Sequence, residues 1–159
     1  MSDIIRMKKS IFENVVEKIS LISQIKDANK HEVAKSMYNA YKNAIEYEND
    51  TVEDFLEEIT NVENGLYGTY LDKPSLCIKK GEEVLAGLFV TDFKGDATLT
   101  YTFTKEEYQN LGMAIDLIKT SENILVKLGY SELYLYLNLA NIPAFNLFES
   151  LGFEEVSID

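Results

Sequence analysis

One cysteine, one histidine and one arginine in 159 residues remove several chemistries at the outset. The lone Cys77 sits in the apolar run Leu76-Cys77-Ile78, cannot form an internal disulfide, and reads as a small apolar residue of a strand. The lone His31 follows a turn at the start of a helical pattern, where a capping or surface role is expected. A single His supplies neither a metal-ligand cluster nor a Ser/His/Asp set, so no metal and no triad hydrolase is expected. Arg6 is the only arginine, and 15 Lys and Arg stand against 27 Asp and Glu, a formal charge of −12. Nucleic-acid backbones are bound by clustered cations, which excludes that class of partner. Acidity of this size serves solubility and also suits a cationic partner. No run approaches the roughly 18 unbroken apolar residues of a membrane helix. Residues Met1 to Ser20 are charged throughout and lack the apolar segment of a secretory signal, so a cytoplasmic protein without a membrane partner is expected. The absence of a G-x-x-x-x-G-K-[ST] loop removes the P-loop NTPases.

What is present is globular: 46% hydrophobic and 26% charged residues, with no Pro/Gly/Ser-rich linker and no repeat, in a length that suits one domain. Ile4, Ile11, Val15 and Ile19 fall at helical spacing and predict an N-terminal helical extension over 1–20 ahead of a single domain over 21–159. Leu21 to Lys26 alternates weakly as a strand. His31 to Ala44 and Thr51 to Asn61 read as helices, the second opened by a cap-like Thr51 with Asp54 three residues on. Ser75–Lys80 and Val84–Asp92 flank a Gly81-Glu82-Glu83 turn, and Ala97–Thr104, after Lys94-Gly95-Asp96, is a third strand of a meander. The period then changes: Leu111, Ala114, Ile118, Leu125 and Leu128 mark a long helix ending at Gly129. Glu132–Leu137 is a strand with leucines on one face and Tyr134 and Tyr136 on the other. Asn141 caps a short helix that Gly152 closes before a last strand from Phe153. A strand–helix–strand unit after a meander implies an α/β fold with a mixed, mostly antiparallel sheet of about six to seven strands flanked by helices.

The chemistry concentrates in Gln109-Asn110-Leu111-Gly112-Met113-Ala114, which joins a strand to the long helix. A glycine there lets backbone approach a ligand, and first-turn amides lack intrahelical partners, a combination that suits a pyrophosphate. Gln109, Gly112 and Ala114 match in register the fingerprint of Arg or Gln, two residues, Gly, one residue, then Gly or Ala. The stretch Asn141 to Phe153, with its Asn, Ala, aromatic and Leu-Gly-Phe ending, matches a second signature. With these motifs, at this separation and in this element order, the chain resembles the GNAT superfamily (Gcn5-related N-acetyltransferases) from about Leu21 onward.

The resemblance implies an acetyl-CoA-dependent N-acetyltransferase whose acceptor is a small-molecule or peptide amine; the acidic charge adds the expectation of a cationic acceptor, and a homodimer is a further expectation. It implies that main-chain groups at Phe103 and Thr104 meet the pantetheine arm, that amides from Asn110 through Leu111, Gly112, Met113 and Ala114 to Ile115 hold the pyrophosphate, and that Asn141 bonds the arm. Two positions depart from the family pattern. Phe148 replaces a tyrosine that many members use to protonate the departing thiolate, and Thr98 falls where some carry a Glu base. Tyr101 and Tyr136 are the catalytic candidates, with Tyr134 and Asp96 as further substitutes. A non-catalytic acyl-CoA-binding or protein-interaction domain of the same fold is the alternative. The run of Glu46, Glu48, Asp50, Glu53, Asp54, Glu57 and Glu58 is either an acidic rim for a cationic acceptor or a solvated face.

Overall fold

In the computed structural model, residues 3–16, 21–44, 47 and 49–158 are described. The elements are β1 (Ile4–Ser10), β2 (Ile22–Gln24), α1 (Lys30–Tyr41), α2 (Val52–Glu63), β3 (Thr69–Leu71), β4 (Leu76–Lys80), β5 (Glu83–Phe93), β6 (Asp96–Thr104), α3 (Met113–Lys127), β7 (Glu132–Asn138), α4 (Ile142–Ser150) and β8 (Glu154–Val156). The eight strands make one sheet in the order β2-β4-β5-β6-β7-β1-β8, with β3 also paired to β5. Every pairing is antiparallel except that of β6 with β7. The mixed, mostly antiparallel sheet flanked by helices is thus the architecture expected, with more strands than counted from the sequence.

The N-terminal helix expected over 1–20 is not found among the described residues, where Ile4–Ser10 form a strand. Ile5 and Met7 are buried while Arg6 and Lys8 are not, so the segment has the period of two that a strand requires. The helical reading leaned on Ile11, Val15 and Ile19, yet Val15 is 90% exposed and Ile19 lies outside the described residues. Strand β1 pairs with β7 over seven residues and with β8 over three, so it is built into the sheet rather than appended to it. Strand β3 has no counterpart in the sequence reading because three residues carry too little pattern to register. It is admitted by Gly68, at φ +115°, where a Cβ would stand 2.4 Å from the Asp92 carbonyl oxygen.

Two apolar layers sandwich the sheet. On one face α3 and α4 cover Leu88, Val90, Leu99, Leu133 and Leu135. On the other, α1 and α2 cover Phe89 and Phe103 through Val33, Met37, Phe55 and Ile59. Strand β5 is buried from Val84 to Thr91 because it has a helical layer on each side. Helix α2 starts with the capping box read from the sequence, Thr51 and Asp54 each accepting from the other's backbone N–H. Gly87 lies directly beneath Phe103, with a Cβ at this position 2.6 Å from the ring. Gly87→Ala therefore has to displace a buried aromatic, at about 2 kcal/mol for an overpacked core. The expected loss is about 4–8 °C in Tm, checked by a thermal melt.

Candidate functional site

Strands β6 and β7 run side by side only at Thr98–Tyr134 and Leu99–Leu135, then part. The parting has a local cause. Across β5 the register shifts between Phe89–Tyr101 and Val90–Leu99, which leaves Thr100 as an extra, bulged residue that bends β6. Beyond it, Thr102 and Thr104 have no strand partner on the β7 side. Strand alternation fixes which main-chain groups face the opening. The Lys105 N–H donates to the Leu85 carbonyl across β5, so Phe103 and Tyr101 also turn their main chain to β5. The groups that face the opening belong to Thr102 and Thr104; the Tyr41 hydroxyl donates to the first carbonyl and the Gln109 amide to the second, at 3.1 Å. This corrects the main-chain role expected for Phe103, whose ring instead packs over Gly87.

The gap between the strands is the floor of a cleft of about 860 Å³. Its walls bring together Tyr101, Phe103, Thr104, Gln109, Asn110, Gly112, Met113, Ala114, Ile115, Tyr136, Asn141 and Phe148, residues scattered over 48 positions from Tyr101 to Phe148 counted inclusively. Leu111 is the exception; it is 61% exposed and does not line the cleft. Gly112 is the N-cap of α3 in the left-handed region, φ +83°, preceded by Asn110 at φ +64°. No side chain caps α3, and its first helical bond is Asp116 N–H to the Gly112 carbonyl. The amides of Met113, Ala114 and Ile115 therefore lack helical acceptors at the cleft wall. A Cβ on Gly112 would touch nothing within 4 Å, so the glycine is required by its backbone angle and not by crowding. Asn141 caps α4 by accepting from the Ala144 N–H at 3.3 Å, which leaves its amide NH₂ as the group able to donate to a ligand.

On the α2 side the cleft meets a hydrogen-bonded trio that the sequence reading missed. The hydroxyls of Tyr67 and Tyr101 both donate, at 2.5 Å, to one oxygen of Glu58, and the Asn61 amide donates to the other at 2.9 Å. Burial pushes the Glu58 carboxyl up, but the bonds from Tyr101, Tyr67 and Asn61 outweigh it and hold it below the usual carboxylate range. Burial first, then the Glu58 carboxylate, push both tyrosine hydroxyls well above their ordinary range. Tyr101 is thus neutral at physiological pH and serves as a polar contact, not as a phenolate base. Of the acidic run, Glu53, Asp54 and Glu57 are exposed and Glu58 alone is drawn into this network; Glu46 and Glu48 lie outside the described residues. The sequence signal for Glu58 was its membership of the acidic run; its junction with Tyr67 and Tyr101 is not written in any local spacing.

The remaining candidates are engaged elsewhere. Asp96 pairs with Arg6 at 2.8 Å, and the Arg6 guanidinium lies 4.0 Å from the Tyr134 ring centroid. Phe148 is buried edge-on against Phe153, with ring centroids 5.7 Å apart. Among the described residues no group of three or more His, Cys, Asp or Glu is placed to hold a metal ion, and no helix is long and apolar enough to cross a membrane.

The geometry can be set beside known proteins. The sequence profile of the Acetyltransferase (GNAT) family matches residues 34–153. A search of curated proteins found no match by sequence. Among solved structures, the chain is similar to the PaiA N-acetyltransferase of Thermoplasma acidophilum, solved in complex with coenzyme A, at TM-score 0.65 and 21% identity over 92% of this chain and 94% of that one. It is similar to the ribosomal-protein-S18-alanine N-acetyltransferase of Escherichia coli at TM-score 0.66 and 21% identity, over 86% and 78% of the two chains. It also resembles a GCN5-related N-acetyltransferase of Sphaerobacter thermophilus, at TM-score 0.64 and 11% identity over 84% of this chain, but spans only 42% of that one. Those identities speak to the fold; with three quarters of the sequence under the family profile and the cleft at the family's two motifs, the chain belongs to the GNAT acetyltransferase family.

Proposed function

We propose that the protein is an N-acetyltransferase that takes its acetyl group from acetyl-CoA and delivers it to an amine. The observation that carries this reading is the parting of β6 and β7 next to the left-handed Gly112 turn: unpaired strand edges for an amide-bearing arm, and bare helix amides for a pyrophosphate, share one cleft. The residues fit the cofactor chemically. Met113, Ala114 and Ile115 amides would hold the pyrophosphate at the positive end of α3, with no arginine or lysine side chain among the described residues lining the cleft to assist them. Main-chain groups of Thr102 and Thr104, and the Asn141 amide, would hold the pantetheine arm.

Acetyl-CoA supplies a thioester whose carbonyl carbon accepts the amine. The chain must orient a neutral amine, stabilise the oxyanion and see a proton delivered to the thiolate. N–H groups of β6 at the parting are the oxyanion donors. The N–C bond forms, the C–S bond breaks, and the nitrogen loses a proton while the sulfur gains one. Phe148 cannot donate that proton, so Tyr136, across the cleft on β7, is the hydroxyl assigned to it.

Phe148 also favours a second reading, an acyl-CoA-binding domain without turnover. A thermal melt with and without acetyl-CoA tests what the two share. Ligand at about 100 times its dissociation constant adds roughly 2.7 kcal/mol, a rise of about 5–11 °C for a domain this size. No rise at millimolar ligand would defeat both readings; release of free thiol with any amine would leave only the first.

A further inference from the structure

Beside the cleft lies a second pocket of about 360 Å³, and the two share Leu99, Thr100, Tyr101, Tyr136 and Tyr47, the residues that flank the point where β6 and β7 part. We propose that this pocket is the acceptor site and that it takes a primary amine carrying one positive charge on a small apolar body, a single ring or a short alkyl chain. The inference rests on the acetyltransferase reading for its chemistry, but its binding step stands by itself.

The walls are aromatic: Tyr47, Tyr67, Phe93, Tyr101 and Tyr136, with Leu66 at the mouth. One wall is rigid. Tyr47 packs against Tyr41 and Phe55 with centroids 4.7 and 5.7 Å apart, and Tyr41 packs edge-on to Tyr101 at 6.1 Å. The other end is open, since Leu66, Phe93 and Tyr136 are 64, 36 and 43% exposed. A cavity of this size sits at the small end of ligand sites and excludes a multi-ring sugar.

The charge is equally specific. Among the described residues, no Asp, Glu, Lys or Arg lines the pocket. One carboxylate, Glu58, lies behind it and is shared between the hydroxyls of Tyr67 and Tyr101, both of which line the wall. Each hydroxyl has committed its proton to Glu58, so each presents lone pairs to the pocket, backed by a single negative charge. An ammonium is met there by two oxygen acceptors and by tyrosine ring faces, and it releases one proton to solvent at the open end before the neutral amine attacks the thioester. Arg6, which reaches within 5.6 Å of the Tyr136 centroid, is neutralised by Asp96. A polyamine would need further carboxylates along its length. The acidic residues that α2 offers, Glu53, Asp54 and Glu57, are exposed and absent from the pocket wall.

The test compares 2-phenylethylamine and n-hexylamine with spermidine and kanamycin. Binding to the full-length protein is followed by NMR, with and without acetyl-CoA, and turnover by thiol release. Expected is saturable binding of the two monoamines, with kcat/KM at least about 10-fold above spermidine, and a rise of about 10-fold in KM with little change in kcat for Glu58→Gln, the size of one lost charged contact. Tyr67→Phe serves as the second variant should Glu58→Gln fold poorly, and the same KM rise is expected of it. Preference for spermidine or kanamycin, or an unchanged KM in both variants, overturns the proposal. If the acetyl-CoA melt shift is present and the monoamines do not bind, the acceptor assignment falls while the cofactor reading survives; if they bind without any melt shift, the cofactor reading is the one lost.

Discussion

Removing residues 1–11 is expected to unfold the protein, although the family profile begins only at residue 34. Strand β1 fills the slot between β7 and β8, so its loss leaves β8 with no partner and opens an unpaired edge on β7 in the middle of the sheet. Ile5, Met7 and Ile11 are buried against the α3/α4 layer, each stabilising the fold by about 1.5–3 kcal/mol. The deletion also strips Lys9 from Glu122, a pair at 3.0 Å in which the carboxylate is 1% exposed. Leaving a buried carboxylate without its partner costs about 3–5 kcal/mol by itself. Together these losses rival the whole stability of an ordinary domain, about 5–15 kcal/mol. Far-UV circular dichroism and a melt of the truncated chain provide the check: no cooperative transition is expected. A transition within a few degrees of the full-length protein would show that β1 is dispensable.

The second large effect is expected at Gly112. Gly112→Val should weaken acetyl-CoA binding by about 10- to 100-fold while the melt without ligand moves little. A β-branched residue at φ +83° is strained by about 1–3 kcal/mol, and relief comes by rotating the turn out of its left-handed geometry. That rotation redirects the Met113, Ala114 and Ile115 amides, and 1.4 kcal/mol is a factor of ten in affinity. Because a Cβ at Gly112 has open space around it, the strain is local and the core is untouched. Gly112→Ala supplies the graded control, with a smaller loss expected. Isothermal titration with CoA reads the effect directly. Equal affinity in Gly112→Val and the parent protein would remove the turn from the binding site.

Much of the fold was legible because its elements carry strong periods. Helix α3 has its apolar stripe and a terminal glycine, β7 its alternation of leucine and tyrosine, and α2 its Thr51–Asp54 box. The N-terminal strand was not legible: Ile4, Ile11 and Val15 fit a helical spacing while the decisive pair, Ile5 and Met7, spans only one alternation. The cleft wall from Thr104 to Ile115, proposed for the cofactor, could be picked out because it is contiguous in sequence. There the structure departs at two positions: Leu111 lies outside the cleft wall, and Thr102 rather than Phe103 turns its main chain to the opening, since periodicity alone does not say which face of β6 pairs with β5. The pocket proposed for the acceptor was opaque because it is assembled from Tyr47 between α1 and α2, the segment before β3, and strands β5, β6 and β7.

The sequence by itself determined the class of protein: the meander, the strand–helix–strand unit and the Gln109–Ala114 turn are local patterns, written in adjacent residues and governed by backbone geometry. Tertiary structure alone decided that β1 lies inside the sheet, that Thr100 bulges to part β6 from β7, and that Glu58 is joined to Tyr67 and Tyr101. The reason is physical. Strand order and a shared carboxylate depend on contacts between residues far apart in the chain, 43 positions for Tyr101 and Glu58 and 150 for Arg6 and Val156, and the energy that selects them is burial, which no local period encodes.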